Sequence, residues 1–225
     1  MAKNTNRVVI TGMGVASPLG LSVEAHWRSL LAGTSGIMGF EDQFEPETKV
    51  RMGGYIKDYL PEGHFSRKEA RRNSRSSQLG LIAAQEAIKQ AGISEQSVNK
   101  KEIGTIVGSS IGGFSAADPF FKNFYQSSTT SPLVIPKSMN SGPASNISIT
   151  HGFKGPLMAV DAACATAAQS IGYAYNMIRF GKLEVAVTGG ADSPFTAGVM
   201  TAWESIRALS TRYDTPETAC RPFSA

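Results

Sequence analysis

Residues 157–181, Leu157-MAVDAACATAAQSIGYAYNMIRF-Gly181, decide the fold class of this chain. Leu157–Asp161 is a short apolar run of the kind that forms a strand buried on both faces. Three residues later Cys164 opens a helical pattern that runs to Arg179, and Gly181 is a natural C-terminal stop. No charged residue occurs between Asp161 and Arg179, and small residues recur at Cys164, Ala168 and Gly172. A helix without charge and with small residues all round belongs between two layers, where neighbouring backbones approach it closely.

Three further runs share the design of β-branched residues followed by glycine: Val8–Gly12, Ile103–Gly108 and Val185–Gly190. Each reads as a buried strand. Helical patterns lie between them. Ser22 can cap a helix that carries Val23, Trp27, Leu30 and Leu31 on one face and closes at Gly33. Ser66 and Glu69 form a capping-box pair that opens one long helix through Leu79, Ile82, Ala83 and Ala87 to Gly92. Strands alternating with helices predict an α/β fold with a largely parallel sheet. Ser127–Pro132 is a loop, and residues 114–131 read as an excursion from the core.

The composition excludes several classes. The chain has 225 residues and 41% hydrophobic residues, enough for a substantial core, and lacks the bias of disorder, collagen or coiled coil. Its charged fraction of 18% is below the usual ~25%, which fits a surface partly destined for cover by another half or subunit. The two cysteines, Cys164 and Cys220, make no disulfide framework, and no metal-ligand spacing occurs. Val8-Val9-Ile10 is too short for a signal-peptide core, and no apolar stretch is long enough to span a membrane. The expectation is a cytoplasmic protein without metal or cofactor. Gly12-Met13-Gly14 has Ser17 where a dinucleotide loop has its third glycine, and Gly108–Gly113 lacks the lysine of a phosphate loop. Both read as tight turns and close packing.

In open α/β sheets the chemistry sits outside the carboxyl ends of the strands. Cys164 stands there, at the start of a helix whose N–H groups and dipole favour a thiolate and could hold an oxyanion. A strand–turn–helix presenting a nucleophile is the device of the serine elbow in hydrolases. On the residues alone a second reading stays open, that of a buried, inert cysteine. Cys220, in a stretch with no helix start, is a bystander.

The segment Val160–Ala167 (VDAACATA) resembles the active-site segment of the β-ketoacyl-acyl-carrier-protein synthases, particularly the KAS II type. Supporting stretches run through the chain in the family's order: VVITGMGVASPLG at 8–20, SRKEARR at 66–72, GSSIGG at 108–113, NSGPASNISITHGFKGP at 140–156, VTGGADSP at 187–194 and RALSTRYDTP at 207–216. The resemblance covers the family's N-terminal half. It implies a thiolase-like fold, in which two βαβ-rich halves pack as α-β-α-β-α layers, usually in a homodimer. The Cys164 helix would lie in the central layer. It further implies a decarboxylating Claisen condensation in fatty acid or polyketide elongation. Cys164 is then the nucleophile, its own N–H part of the oxyanion hole, with Ile111 and Trp203 in stretches that line the acyl pocket.

Residues 67–75 carry Arg67, Lys68, Arg71, Arg72 and Arg75 against one acid, Glu69. Arg67, Arg71 and Arg75 repeat at i+4, a costly stacking of like charge on one helix face. A solvated face, an anionic partner and nucleic acid are the three readings, the last without the aromatic interleaving it needs. In the family, Lys68, Arg71, Arg72 and Arg207 would dock the acidic carrier protein. The family's catalytic histidines and lysine belong to its C-terminal half, so His26, His64 and His151 match no catalytic position and read as structural. The expected organisation is thus residues 1–225 as one N-terminal half, incomplete without a C-terminal half on the same or another chain. Asp161, Ala167 and Ser224 depart from the family's usual residues, which leaves polyketide-type synthesis open. The alternative is a non-catalytic acyl- or carrier-protein-binding partner, and the carrier-type signature at Cys164 disfavours a degradative thiolase.

Overall fold

In the computed structural model, which describes residues 5–39, 48–93, 98–212 and 214–223, the run that begins at Ile103 becomes the centre of the larger sheet. In chain order the elements are α1 (Val23–Leu31), β1 (Met38–Gly39), β2 (Met52–Gly53), α2 (Arg67–Arg72), α3 (Arg75–Gln90), β3 (Gly104–Gly108), α4 (Gly112–Ser127), α5 (Val134–Ser138), α6 (Gly142–His151), β4 (Leu157–Met158), α7 (Thr166–Arg179), β5 (Ala186–Gly190) and α8 (Ala197–Ser205). They fall into two units, one of residues up to Gly14 with Pro61–Ser193, the other of Val15–Leu60 with Pro194 onward. Ser224 and Tyr213 lie outside the described residues.

In the first unit β3 is buried throughout and runs parallel to both neighbours, in the order β4-β3-β5. Thr105 stands opposite Leu157, and Gly104 to Gly108 stand opposite Ala186 to Gly190. Alternation along the strand sorts its side chains to two faces. Ile103 and Val107 pack with Leu81, Ala84 and Ile88 of α3, and with Ala144 and Ile147 of α6. Ile106, on the other face, meets Ala174 of α7 and Leu183. Helices therefore cover both faces of a parallel sheet, as the α/β reading expects.

Three readings of the sequence are corrected. Val8–Gly12 is not a strand: its ends are held, but Val9 and Ile10 are 57% and 80% exposed. Asn6 donates its backbone N–H to the Arg179 carbonyl at 2.9 Å, and Met13 donates to Gln90 Oε1 at 2.6 Å. Gly14 lies on the carbonyl of Ala83 in α3, with no room for a Cβ. An apolar β-branched run reports side-chain preference, whereas a strand also needs a partner edge. The segment and β5 instead flank a cavity of about 350 Å³ lined by Val8, Ile10, Ala87, Ile178, Val185 and Val187. Second, β4 is two exposed residues at the sheet edge rather than a strand buried on both faces, and β5 is only half-buried along most of its length.

Third, the long helix breaks. Ser66 and Glu69 do form the capping box, but α2 ends at Asn73 in extended backbone and Ser74 caps a second helix, α3, by accepting from Ser77 N–H. A serine in extended conformation is a strong new N-cap, and it overrides helix continuity. Arg75 thus opens α3 while Arg67 and Arg71 stay on α2, so the three arginines do not stack on one helix. Residues 114–131, read as an excursion from the core, are mostly helix α4 with the loop beginning at Ser128, and Phe121, Phe124 and Tyr125 are exposed on it.

The second unit is smaller. Ser22 caps α1 by accepting from Ala25 N–H at 3.2 Å, and Arg28 pairs with Glu24 at 2.6 Å. The expected apolar face of α1 is not buried: Trp27, Leu30 and Leu31 are all exposed. β1 and β2 pair antiparallel, Met38 opposite Gly53. Val50 and Met200 form a core with Tyr55, Phe195, Trp203 and Leu209 around them, and the Tyr55 and Phe195 rings meet edge-on at 5.4 Å.

Candidate functional site

The carboxyl ends of β3, β4 and β5 carry the loops that build the site. β3 approaches α7 so closely that a Cβ on Gly108 would run into Thr166 Cγ2 and the Val160 carbonyl. The close approach comes from Gly108 of β3; the small residues expected to admit a neighbouring backbone, Cys164, Ala168 and Gly172, are all exposed, and a Cβ on Gly172 would meet nothing within 4 Å. Thr166, buried at the start of α7, accepts from Ala162 N–H through Oγ1 at 2.8 Å, and Ser170 Oγ donates to its carbonyl at 2.9 Å. These bonds pin the turn between β4 and α7.

That turn is strained. Ala163 has φ +49°, the left-handed region that costs an ordinary L-residue about 1–2 kcal/mol. Ala163–Ala165 form a single 3-10 turn ahead of α7, with Ala165 N–H on the Ala162 carbonyl at 3.0 Å. Cys164 sits in this turn rather than in the first turn of the α-helix, and it is exposed. It is therefore not a buried cysteine. The expected two-sided cover of α7 is also absent from this chain. Only Thr166, Ser170 and Ala174 are buried, and the outer face presents Ile171, Tyr173 and Tyr175.

Ile111 lies on the same rim, at the end of the turn after β3. Asp192, just past β5, accepts from Ser109 Oγ at 2.9 Å and Ile111 N–H at 3.1 Å through Oδ1, and from Ser110 N–H at 3.0 Å through Oδ2. The Asn140 side-chain amide donates to the Ser110 carbonyl at 2.7 Å and to Asp161 Oδ2 at 3.3 Å. Asp161 Oδ1 accepts from Ala163 N–H at 3.3 Å. Ile111 and Cys164 are thus brought onto one hydrogen-bonded rim. Sequence reading missed Asp192 and Asn140 as site residues. Both had a signal, since Asp192 lies in the supporting stretch VTGGADSP and Asn140 opens NSGPASNISITHGFKGP.

The other expected residues are carried by other elements. Trp203, on α8, packs half-buried in the second unit's core, and Arg207 is exposed just beyond that helix at φ +55°. Lys68, Arg71 and Arg72 are exposed on α2 of the first unit. The one acid among them, Glu69, accepts from the Ser66 hydroxyl at 2.6 Å and from Ser66 N–H at 2.9 Å, which hold its carboxyl below the usual range. His26 Nδ1 contacts Ser17 Oγ at 2.7 Å, His64 neighbours the Phe65 ring, and His151 stacks on Phe153. Among the described residues no group of three His, Cys, Asp or Glu could hold a metal ion, and no helix is long and apolar enough to cross a membrane.

Comparison with known proteins now adds a family. Residues 5–225 match the beta-ketoacyl synthase N-terminal domain. Over 219 residues the chain is 36% identical to 3-oxoacyl-[acyl-carrier-protein] synthase 2 of Vibrio cholerae serotype O1, covering 96% of this chain and 53% of that protein. A beta-ketoacyl synthase crystal structure from Burkholderia phymatum STM815 superposes with TM-score 0.85 at 29% identity, over 97% of this chain and 54% of the other. A ketosynthase solved with its type II polyketide acyl-carrier protein superposes over 92% of this chain and 50% of the other, with TM-score 0.81 at 21% identity, a shared fold. The chain spans about half the length of the curated relatives it matches.

Proposed function

The chain belongs to the β-ketoacyl synthases, thiolase-like in fold, and on that premise we propose that it supplies the nucleophile half of a decarboxylating Claisen condensation. The Cys164 thiolate attacks the carbonyl of an acyl-carrier-protein thioester, and the carrier thiolate leaves. Cys164 N–H donates to the oxyanion formed on the way. Malonyl-carrier protein then loses CO₂, and its carbanion attacks acyl-Cys164, forming the carbon–carbon bond and expelling the cysteine thiolate. The histidines that steady the carbanion come from a C-terminal half, as none of His26, His64 or His151 stands in the rim network described above. No cofactor enters these steps. The reading places the reaction in fatty acid or polyketide elongation in the cytoplasm.

One observation carries this reading: Cys164 is exposed on a strained turn at the carboxyl ends of parallel strands, tied by hydrogen bonds to the Ile111 loop. Strain held by surrounding structure is the mark of a working site. The uncovered face of α7 and the cavity between residues 8–12 and β5 support a covering C-terminal half. The exposed aromatics of α4 support a second subunit, homodimeric or heteromeric. Ile111 and Trp203 are assigned to the acyl pocket.

The decisive experiment incubates the chain and a complementary C-terminal half with acyl-carrier protein, then seeks an acyl adduct on Cys164 by mass spectrometry. An adduct supports the enzyme; its absence favours the second reading, a non-catalytic acyl- or carrier-protein-binding partner. Docking through Lys68, Arg71, Arg72 and Arg207 has its own test. Lys68→Glu or Arg71→Glu raises KM for carrier-bound substrate and leaves small thioester analogues unchanged; equal effects on both count against docking. Nucleic acid has no place in this reading.

A further inference from the structure

We propose that Asp192 is a positioning residue for acyl-chain selection: its carboxylate fixes the Ser109–Ile111 turn and thereby the depth of Ile111 relative to Cys164. The inference rests on the reading of Ile111 as an acyl-pocket residue. Asp192 reaches across from the end of β5 to the end of β3 and accepts from three donors of that turn, two of them successive backbone N–H groups. Hydrogen bonds to a carboxylate are about twice as strong as neutral ones, and paired N–H groups make a natural anion cradle. The turn has no substitute for them: Ile111, at the N-cap of α4, makes no side-chain capping bond of its own.

The far side of the same peptide is held as well. The Ser110 carbonyl accepts from Asn140, whose amide also reaches Asp161, and Asp161 accepts from Ala163 N–H next to Cys164. Ser110 is thus gripped at its N–H by Asp192 and at its carbonyl by the strap that ends beside the nucleophile. Beyond Ile111 the chain has no slack, since a Cβ on Gly113 would meet the Ser138 carbonyl. Ser109 is buried, so the turn hinges from a fixed base. Releasing Asp192 frees the one end of the rim that carries Ile111, without touching Cys164.

The test compares wild type, Asp192→Ala and Asp192→Asn, each with the C-terminal half, in loading butyryl, octanoyl and palmitoyl groups from carrier protein onto Cys164. Asp192→Ala is expected to change the palmitoyl-to-octanoyl loading ratio by roughly tenfold, the scale of one hydrogen bond's difference between two substrates. Asp192→Asn keeps an acceptor for Ser109 and Ile111 but turns an amide N–H₂ toward Ser110 N–H, so its ratio falls between the two. An unchanged ratio overturns the proposal, and so does an equal fall for all three chains, which a merely structural role would give. If wild type loads no chain, it is the reading of Cys164 that fails. Amide exchange at Ser110 and Ile111 then decides the clamp, and exchange no faster in Asp192→Ala than in wild type ends it.

Discussion

The two helices on opposite faces of the parallel sheet invert what their sequences advertise. α3 carries Arg75, Glu86 and Lys89 yet buries nine of its sixteen residues; α7 has no charge before Arg179 and buries three of fourteen. Polar groups go inside α3 because they find partners there. Ser74 Oγ lies within 3.0 Å of the Ser76 and Ser77 hydroxyls, and the Gln78 amide donates to the carbonyls of Ala70 and Asn73. Satisfied in this way, they lose little on leaving water. On α7, Ile171, Tyr173 and Tyr175 remain between 42% and 50% exposed, although the Arg179 guanidinium lies over the Tyr175 ring at 5.6 Å. Lack of charge therefore does not ensure burial within this chain, which is decided by what the chain itself can bring to a helix.

The sharpest break of that contrast uses one truncation on each helix. Leu81, 1% exposed on the closed face, should cost about 2–5 kcal/mol as Leu81→Ala, through lost transfer energy and the cavity left behind. Ile171→Ala on the open face should cost within about 0.5 kcal/mol. Urea unfolding followed by circular dichroism reads both. Equal losses would mean that α7 is packed as tightly as α3. With a complementary C-terminal half present, the Ile171→Ala loss should grow, and the Leu81→Ala loss should not. Next in size is Gly108→Ala, which forces β3 away from α7 at Thr166 and should cost about 1–3 kcal/mol by overpacking. An unchanged melting temperature would show that the β3–α7 approach is looser than described.

How much of this was legible follows the same division. β3, β5, α7 and both N-caps at Ser22 and Ser66 could be read because their signals are local: a β-branched run, a capping residue, a charge-free helical stretch. Cys164 could be placed at the carboxyl end of a strand for the same reason. Val8–Gly12 misled because a strand requires a neighbour's edge, which no window of sequence displays. The break at Asn73–Ser74 was hidden by the strong capping box of Ser66 and Glu69, which favours one continuous helix. Asp192 and Asn140 join loops separated by 82 and 30 residues from Ser110, and such pairings depend on sheet order rather than on any motif.

A smaller effect belongs to the α7 side. Ala163→Gly removes a Cβ from left-handed backbone but loosens the unfolded chain, so the net gain should stay below about 1 kcal/mol. A loss in its place, measured by melting temperature, would mean that the turn at Cys164 is not strained.

The smallest lies on the closed face and reads out with pH. His151 ends α6, stacks on Phe153 at 5.4 Å, and has a buried Nε2 without a hydrogen-bond partner. Burial, aided by the Lys100 charge, holds its pKa below the ordinary 6.5. Below about pH 6.5 the unfolded chain therefore takes up a proton that the folded chain refuses. The unfolded state binds more protons in that window, so stability is complete above it and declines as pH falls toward the depressed folded value. Phe in place of His keeps the ring stack and removes the titration. Melting temperatures at about pH 7.5 and about pH 5.5 should then fall less for His151→Phe than for wild type, and carboxylates common to both cancel in the difference. Identical falls would mean that His151 is open to water, and that the α3–α6 side of the sheet is no better closed there than the outer face of α7.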